Sequence, residues 1–174
     1  MILNPVAVRA SYDALGVVGV VEDTLRQNTG KAVDTYLSSV GLEPGEPWCA
    51  AFVYFRLLQA SIELKTPLPN GVSSMVGKGA AVSWYDYAKR LGSFDAATAG
   101  TEPARGDLAL FEIGGGIHHI GFVVSYNADT DIIRTVEGNT HPQGEPSRDG
   151  WGVFARSRNR SEYGATGGFA RLAF

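Results

Sequence analysis

The stretch "GEPWCAAFVYFRLLQAS", residues 45–61, sets the architecture. A turn cluster, "EPGEP" at 43–47, gives way at Trp48 to a run in which Ala50, Ala51, Phe52, Val53, Phe55, Leu57 and Leu58 leave almost no polar face. A helix that is apolar nearly all round has to be covered on every side, so the pattern predicts a buried central helix from Trp48 to about Leu64. Cys49, the only cysteine in 174 residues, falls in its first turn. Unpaired backbone N–H groups and the positive end of the helix dipole gather there, which favours a thiolate and offers donors to an oxyanion. Free cysteine is also commonly a small buried hydrophobe. On this segment alone both readings stand.

Upstream, residues 5–27 have helical character that Gly16 and Gly19 weaken. "TGKAVDTYLSSVGL" (29–42) sets Val33, Tyr36, Leu37 and Val40 at helical spacing, with Gly41 as a C-cap. Downstream, "KTPLPNGVSS" (65–74) reads as loop, and "GAAVSWYDYAKRLGSF" (79–94) predicts a helix ended by Gly92. The character then changes. "GDLALFEI", "HHIGFVVSYN", "DIIRTVEGNT", "WGVFARSRN" and "GGFARLAF" are short β-type runs split by Gly, Asn and Asp turns. Helices first and an antiparallel meander second predict an α+β fold, N-terminal helices packed on a C-terminal sheet. No repeat, low-complexity tract or linker divides residues 1–174, so a single domain is expected.

Composition narrows the function classes. The formal charge is −3 and no basic run could neutralise phosphates, so nucleic acid is not the expected partner. One cysteine forms no internal disulfide and no metal-ligand pair. No apolar run approaches the roughly 20 residues of a membrane span. The N-terminus, interrupted by Arg9 and Asp13 and lacking a basic leader, does not read as a signal peptide. The expectation is a chain made in the cytoplasm that reaches its target by release, injection or export.

A nucleophilic thiol needs a base, and there are three histidines. Strand alternation groups His118 with Ile120, Phe122 and Val124, and His119 with Gly121 and Val123. The first set faces the core, which leaves His119 as the better base and His118 as a packed or hydrogen-bonded neighbour. Gly121 beside it leaves room for a close approach. His141, in "NTHPQG", reads as a solvated loop residue. A base is steadied by a third group. In "IIRTVEGNT", Ile133, Thr135, Glu137 and Asn139 share one face if the strand persists, and Glu137 could lie beside His119 in an antiparallel pair. A solvated surface carboxylate is the competing explanation.

Taken in order, "PWCAAFV", "GDLALF", "HHIGFVV", "TVEGNT" and "GVFARSR" resemble the successive blocks of CHAP domains, the cysteine, histidine-dependent amidohydrolases/peptidases of phage and bacterial cell-wall lytic enzymes. The upstream "VVEDTLRQNTGKAVDTYLSSVGLEPGEPWCAAFV" is similar to the lead-in of one subgroup, so the resemblance spans roughly residues 15–174. It implies a papain-like fold, with Cys49 as nucleophile, His119 as general base, Glu137 orienting His119 and Asn139 as a further polar partner. The implied substrate is peptidoglycan, cut at a stem-peptide or cross-bridge amide or at the N-acetylmuramoyl–L-alanine amide. Phage endolysin and bacterial toxin are the contexts it implies, with a separate wall-binding module or an immunity protein as partner. Some members bind calcium ahead of the cysteine. This chain offers only Glu43 and Glu46 there, too few oxygens for six to eight ligands, so no metal or other cofactor is expected. The rival functions are a non-catalytic wall-binding module on the same fold, and a thiol acyltransferase or protein peptidase.

Other features have plain readings. "RGD" at 105–107 is a turn into a strand, and "GGGIHH" lacks the lysine and helix of a phosphate loop, leaving a hairpin lip near the site. Trp48, Trp84 and Trp151 are expected in the core or groove wall. Glu22 and Asn28 could line a groove, cap a helix or face solvent.

Overall fold

The computed structural model describes residues 3–98, 100–144 and 149–172, so the last two residues of "GGFARLAF" lie outside it. Among the described residues four helices come first: α1 Pro5–Leu15, α2 Lys31–Ser39, α3 Cys49–Leu64 and α4 Ala81–Arg90. Six strands follow, β1 Phe94–Ala96, β2 Leu108–Ile113, β3 Gly116–Asn127, β4 Ile132–Thr140, β5 Gly152–Arg158 and β6 Gly168–Ala170. They form one antiparallel sheet in the order β1-β6-β2-β3-β4-β5. The α+β expectation holds, with the helices mainly N-terminal. The simple meander holds only from β2 to β5. The chain then crosses back through a 3-10 turn, Arg160–Tyr163, and β6 pairs with β2 on the far side, where the unanticipated β1 joins it.

Local chemistry explains the boundaries. Asn4 caps α1, its side-chain oxygen accepting from the Val6 and Ala7 N–H groups ahead of which Pro5 fits the first turn. The helical character of residues 5–27 stops at Leu15. Past Gly16 and the left-handed Gly19 (φ 94°), the chain extends along β5, exchanging backbone hydrogen bonds with Trp151 and Val153. The β2–β3 hairpin turns on Gly114 and Gly115, both at positive φ, as a two-residue loop requires.

The sheet is buried on both faces. Inward, Leu108, Leu110, Ile120, Phe122, Val124, Val136 and Val153 join the helices around α3, which is covered as its composition demands. Outward, Ala109, Phe111, Val123, Ile133 and Phe169 form a smaller cluster closed by Tyr163 of the 3-10 turn. The RGD turn is internal architecture. Arg105 lies over the Tyr12 ring, Gly106 lets the α1 backbone approach, and Asp107 is buried in an ion pair with Arg171.

Candidate active site

The entrance to α3 is fixed by contacts from three directions. An added Cβ at Gly138 would stand 2.7–2.8 Å from Trp48 and Phe52, so only glycine lets the first turn of the helix lie directly on β4. The fully buried Trp48 indole donates to Glu22 at 3.0 Å, and the other Glu22 oxygen accepts from the Gln27 N–H. Glu22 is thus neither groove wall nor surface. It is a buried anchor, carried there by the extended segment along β5. Asn139, oriented by its hydrogen-bond network, accepts from the Trp48 N–H at 3.3 Å and donates to Gly150 O and Asn28 Oδ1. Asn28 in turn donates to the Gly45 carbonyl of the turn cluster. Cys49 emerges from this frame at the first helical position, 5% exposed.

The thiol lies against an irregularity in β3. Phe111 pairs with His119 and Glu112 with Ile117, leaving His118 as an extra residue in the ladder. The bulge corrects the expectation for His118, which is exposed instead of packed inward, while its carbonyl oxygen sits 4.0 Å from Cys49 Sγ. His119 is 1% exposed, its ring tilted against that of Phe111. Its Nε2 faces Glu137 Oε2 at 2.8 Å, and Cys49, which lines the same cleft, acts on the ring electrostatically.

Gly121 makes the histidine–carboxylate contact possible. It pairs directly with Glu137, and a Cβ there would stand 2.5 Å from Glu137 Cγ. The space left by this glycine is filled by the Glu137 side chain on its way to His119. Glu137 has no exposure and a full set of donors. Thr135 and Thr140 hydroxyls donate to it, and Arg158 grips it with Nε on Oε1 at 2.9 Å and Nη2 on Oε2. Arg158 is itself 1% exposed, lies over Phe111, and holds Glu162 at 3.0 Å.

These contacts decide the charges. Burial pushes the His119 imidazole down, but hydrogen bonds and charge from Cys49 and Glu137 outweigh it and raise the ring to about 9. Burial pushes the Glu137 carboxyl up, yet His119 and Arg158 hold it well below the usual carboxylate range. The site therefore favours an imidazolium between a sulfur and an ionised carboxylate.

A model of the CHAP domain matches residues 42–139, more than half of the chain. The chain belongs to the CHAP family. No curated protein and no solved structure matched it. CHAP domains are generally hydrolases of the amidase or peptidase type, and membership points to that class of cell-wall chemistry. The matched segment contains Cys49, His119 and Glu137 and ends at Asn139, so Arg158 lies beyond it.

In this CHAP domain the four residues singled out from the sequence do not play one geometric part. His119 is bonded to Glu137 and shares a cleft with Cys49, whereas the Asn139 side chain is engaged with Trp48, Gly150 and Asn28. Asn139 has left-handed backbone (φ 54°) beside a register shift in the β4–β5 ladder, which breaks the alternation that grouped it with Glu137. Sequence reasoning missed Arg158. Its signal was the alternation of "GVFARSR", which sets Arg156 and Arg158 opposite Thr135 and Ile133, on the face that carries Glu137.

Cys49, His118, His119 and Asn139 open onto a cleft of about 370 Å³. Val40, Leu42, Val82 and Ile117 give it apolar walls, and Gly77, Gly79, Ala80 and Ala81 keep one side low. Of the tryptophans, Trp48 and Trp84 are buried in the core, and Trp151 packs on Phe154. His141, expected in solvent, is buried, and its carbonyl accepts from Arg156. Among the described residues, no three His, Cys, Asp or Glu side chains converge as a metal site requires, and no helix is long and apolar enough to cross a membrane.

Proposed function

We propose that this chain is a cysteine amidohydrolase that cuts an amide bond of peptidoglycan, either in the stem peptide or cross-bridge or at the N-acetylmuramoyl–L-alanine link. One observation carries the reading: the lone thiol sits in the first turn of a buried helix, against a histidine whose far nitrogen is held by an ionised carboxylate. Cys49 thiolate attacks the amide carbonyl carbon, and the electron pair of the C=O moves to oxygen. First-turn N–H groups of α3, including that of Cys49, receive the oxyanion. As the tetrahedral species collapses the C–N bond breaks and the His119 imidazolium gives its proton to the leaving amine. The neutral imidazole then takes a proton from water, which attacks the thioester. The products are a carboxylic acid and the restored thiolate–imidazolium pair.

Glu137 holds the imidazole in one orientation and balances the positive charge it carries. Asn139 serves the site indirectly, by fixing the turn that presents Cys49. A net charge of −3 gives no general attraction to an anionic wall, so recognition belongs to the cleft or to a separate wall-binding module. Release, injection or export would bring the enzyme to its substrate.

The test is the release of new amino groups from purified sacculi by the wild type and by Cys49→Ala. The variant should lose about 10⁴-fold or more of the activity, as removal of a nucleophile does. Equal release by both proteins would sink the proposal. Mass spectrometry of the products then separates amidase from endopeptidase cleavage.

A further inference from the structure

We infer that Arg158 is a positioning residue of the proposed reaction, gripping both oxygens of Glu137 from the far side so that the carboxylate keeps its charge and its orientation toward His119. The inference rests on Cys49 and His119 acting as nucleophile and base. It adds a fourth residue, from a strand beyond the segment that defines the family match.

The geometry is that of a two-point clamp. Nε and Nη2 of one guanidinium meet the two oxygens of one carboxylate, a fork that fixes direction as well as distance. Glu137 Oε2 is then held by Arg158, Thr140 and His119, and Oε1 by Arg158 and Thr135. The guanidinium is itself secured. It lies 4.8 Å over the Phe111 ring, and Nη1 donates to Glu162. The other oxygen of Glu162 accepts from the Asn159 N–H in the capping box of the 3-10 turn. Positioning thus runs from the 3-10 turn through Glu162, Arg158, Glu137 and His119 to the thiol.

The clamp answers a definite problem. A carboxyl with no exposure is pressed by burial toward its neutral, protonated form, and a neutral acid cannot balance an imidazolium. The groups that face Glu137 are the His119 ring from β3, the Thr135 and Thr140 hydroxyls from β4, Arg158 from β5 and the Tyr163 phenol from the 3-10 turn. Of these, Arg158 alone is a permanent cation. Removing it should raise the Glu137 carboxyl, so that as pH falls the imidazolium loses its counter-ion sooner.

The experiment compares wild type, Arg158→Lys and Arg158→Met. It measures kcat and KM against pH on the soluble wall fragment that wild type cleaves, and the pH profile of Cys49 alkylation by iodoacetamide, with near-UV circular dichroism to check the fold. Arg158→Met should leave KM near wild type, lower kcat about 10–100-fold, the usual loss for a supporting-shell partner, and move the acid limb of both profiles up by about one pH unit or more. Arg158→Lys keeps the charge without the fork, so its acid limb should stay near wild type while kcat falls about 10-fold. A folded Arg158→Met with an unchanged or lowered acid limb overturns the inference. If that variant does not fold, a wild-type kcat in Arg158→Lys overturns it. Alkylation needs no substrate, so it tests Arg158 even if sacculi prove uncut, an outcome that would refute the hydrolase reading instead.

Discussion

The two faces of the sheet solve different problems with the same device, a glycine where a side chain would collide. On the inner face Gly138 clears space for Trp48 and Phe52, so α3 settles on β4 and apolar packing carries Cys49 to its place. On the outer face Gly121 clears space for Glu137, and a closed set of charged and hydroxyl groups sets the histidine. The inner contact is non-directional and tolerant of detail, because hydrophobic burial scales with area. The outer one is directional, because each buried polar atom needs its own partner. The thiol is placed by packing and the imidazole by hydrogen bonding.

Substitutions at the two glycines should pull these roles apart. The largest expected effect is on the outer face. Gly121→Ala forces Glu137 off His119, and kcat should fall about 100-fold, the usual cost of a misplaced catalytic contact. Steady-state kinetics on a soluble wall fragment checks this, and an unchanged kcat would mean that the carboxylate does not act through position. Gly138→Ala should instead appear first as lost stability, about 1–3 kcal/mol from overpacking between α3 and β4. Urea unfolding measures it, and a wild-type midpoint would show that the interface yields at no cost.

A third way to sharpen the comparison is pH. His119 is raised from 6.5 to about 9 in the folded chain, so its stabilising contribution is complete below pH 6.5 and is lost as pH rises through about 9. Glu137 is lowered, so its contribution is present above the ordinary carboxylate range and is lost only as strong acid protonates it in the fold. The urea midpoint of wild type should therefore decline between pH 6.5 and 9, and His119→Ala should flatten that decline. An identical slope in both proteins would place the dependence elsewhere. The smallest effect is expected at His118, which the bulge turns to the cleft. His118→Ala should leave stability unchanged and raise KM more than it lowers kcat, whereas a larger loss in kcat would assign that ring to the chemistry.

Much of the architecture was written in local pattern. The all-round apolar run from Ala50 to Leu58 demanded a covered helix, and the alternation in β2 to β5 demanded a sheet with its own two faces. Cys49 at a helix start and His119 on the side of Gly121 followed from period alone. His118 did not, because a bulge inserts one residue and re-aims the next, and no period announces it. Asn139 left its expected face for the same kind of reason, a left-handed residue beside a register shift.

Glu22 and Arg158 mark the other limit. Each is a charged residue in an unremarkable context, and charge in sequence ordinarily means solvent. Only the pairing of distant segments shows that one receives the Trp48 indole and the other clamps Glu137. Sequence by itself determined the four helices and strands β2 to β6, their order, the α+β class and which residues could supply a thiol, a base and a carboxylate, because these follow from propensity and period within a few turns of chain. Tertiary structure decided which strand neighbours which, where β6 inserts, and which polar groups are buried together, because those depend on contacts that bring together residues far apart in the chain.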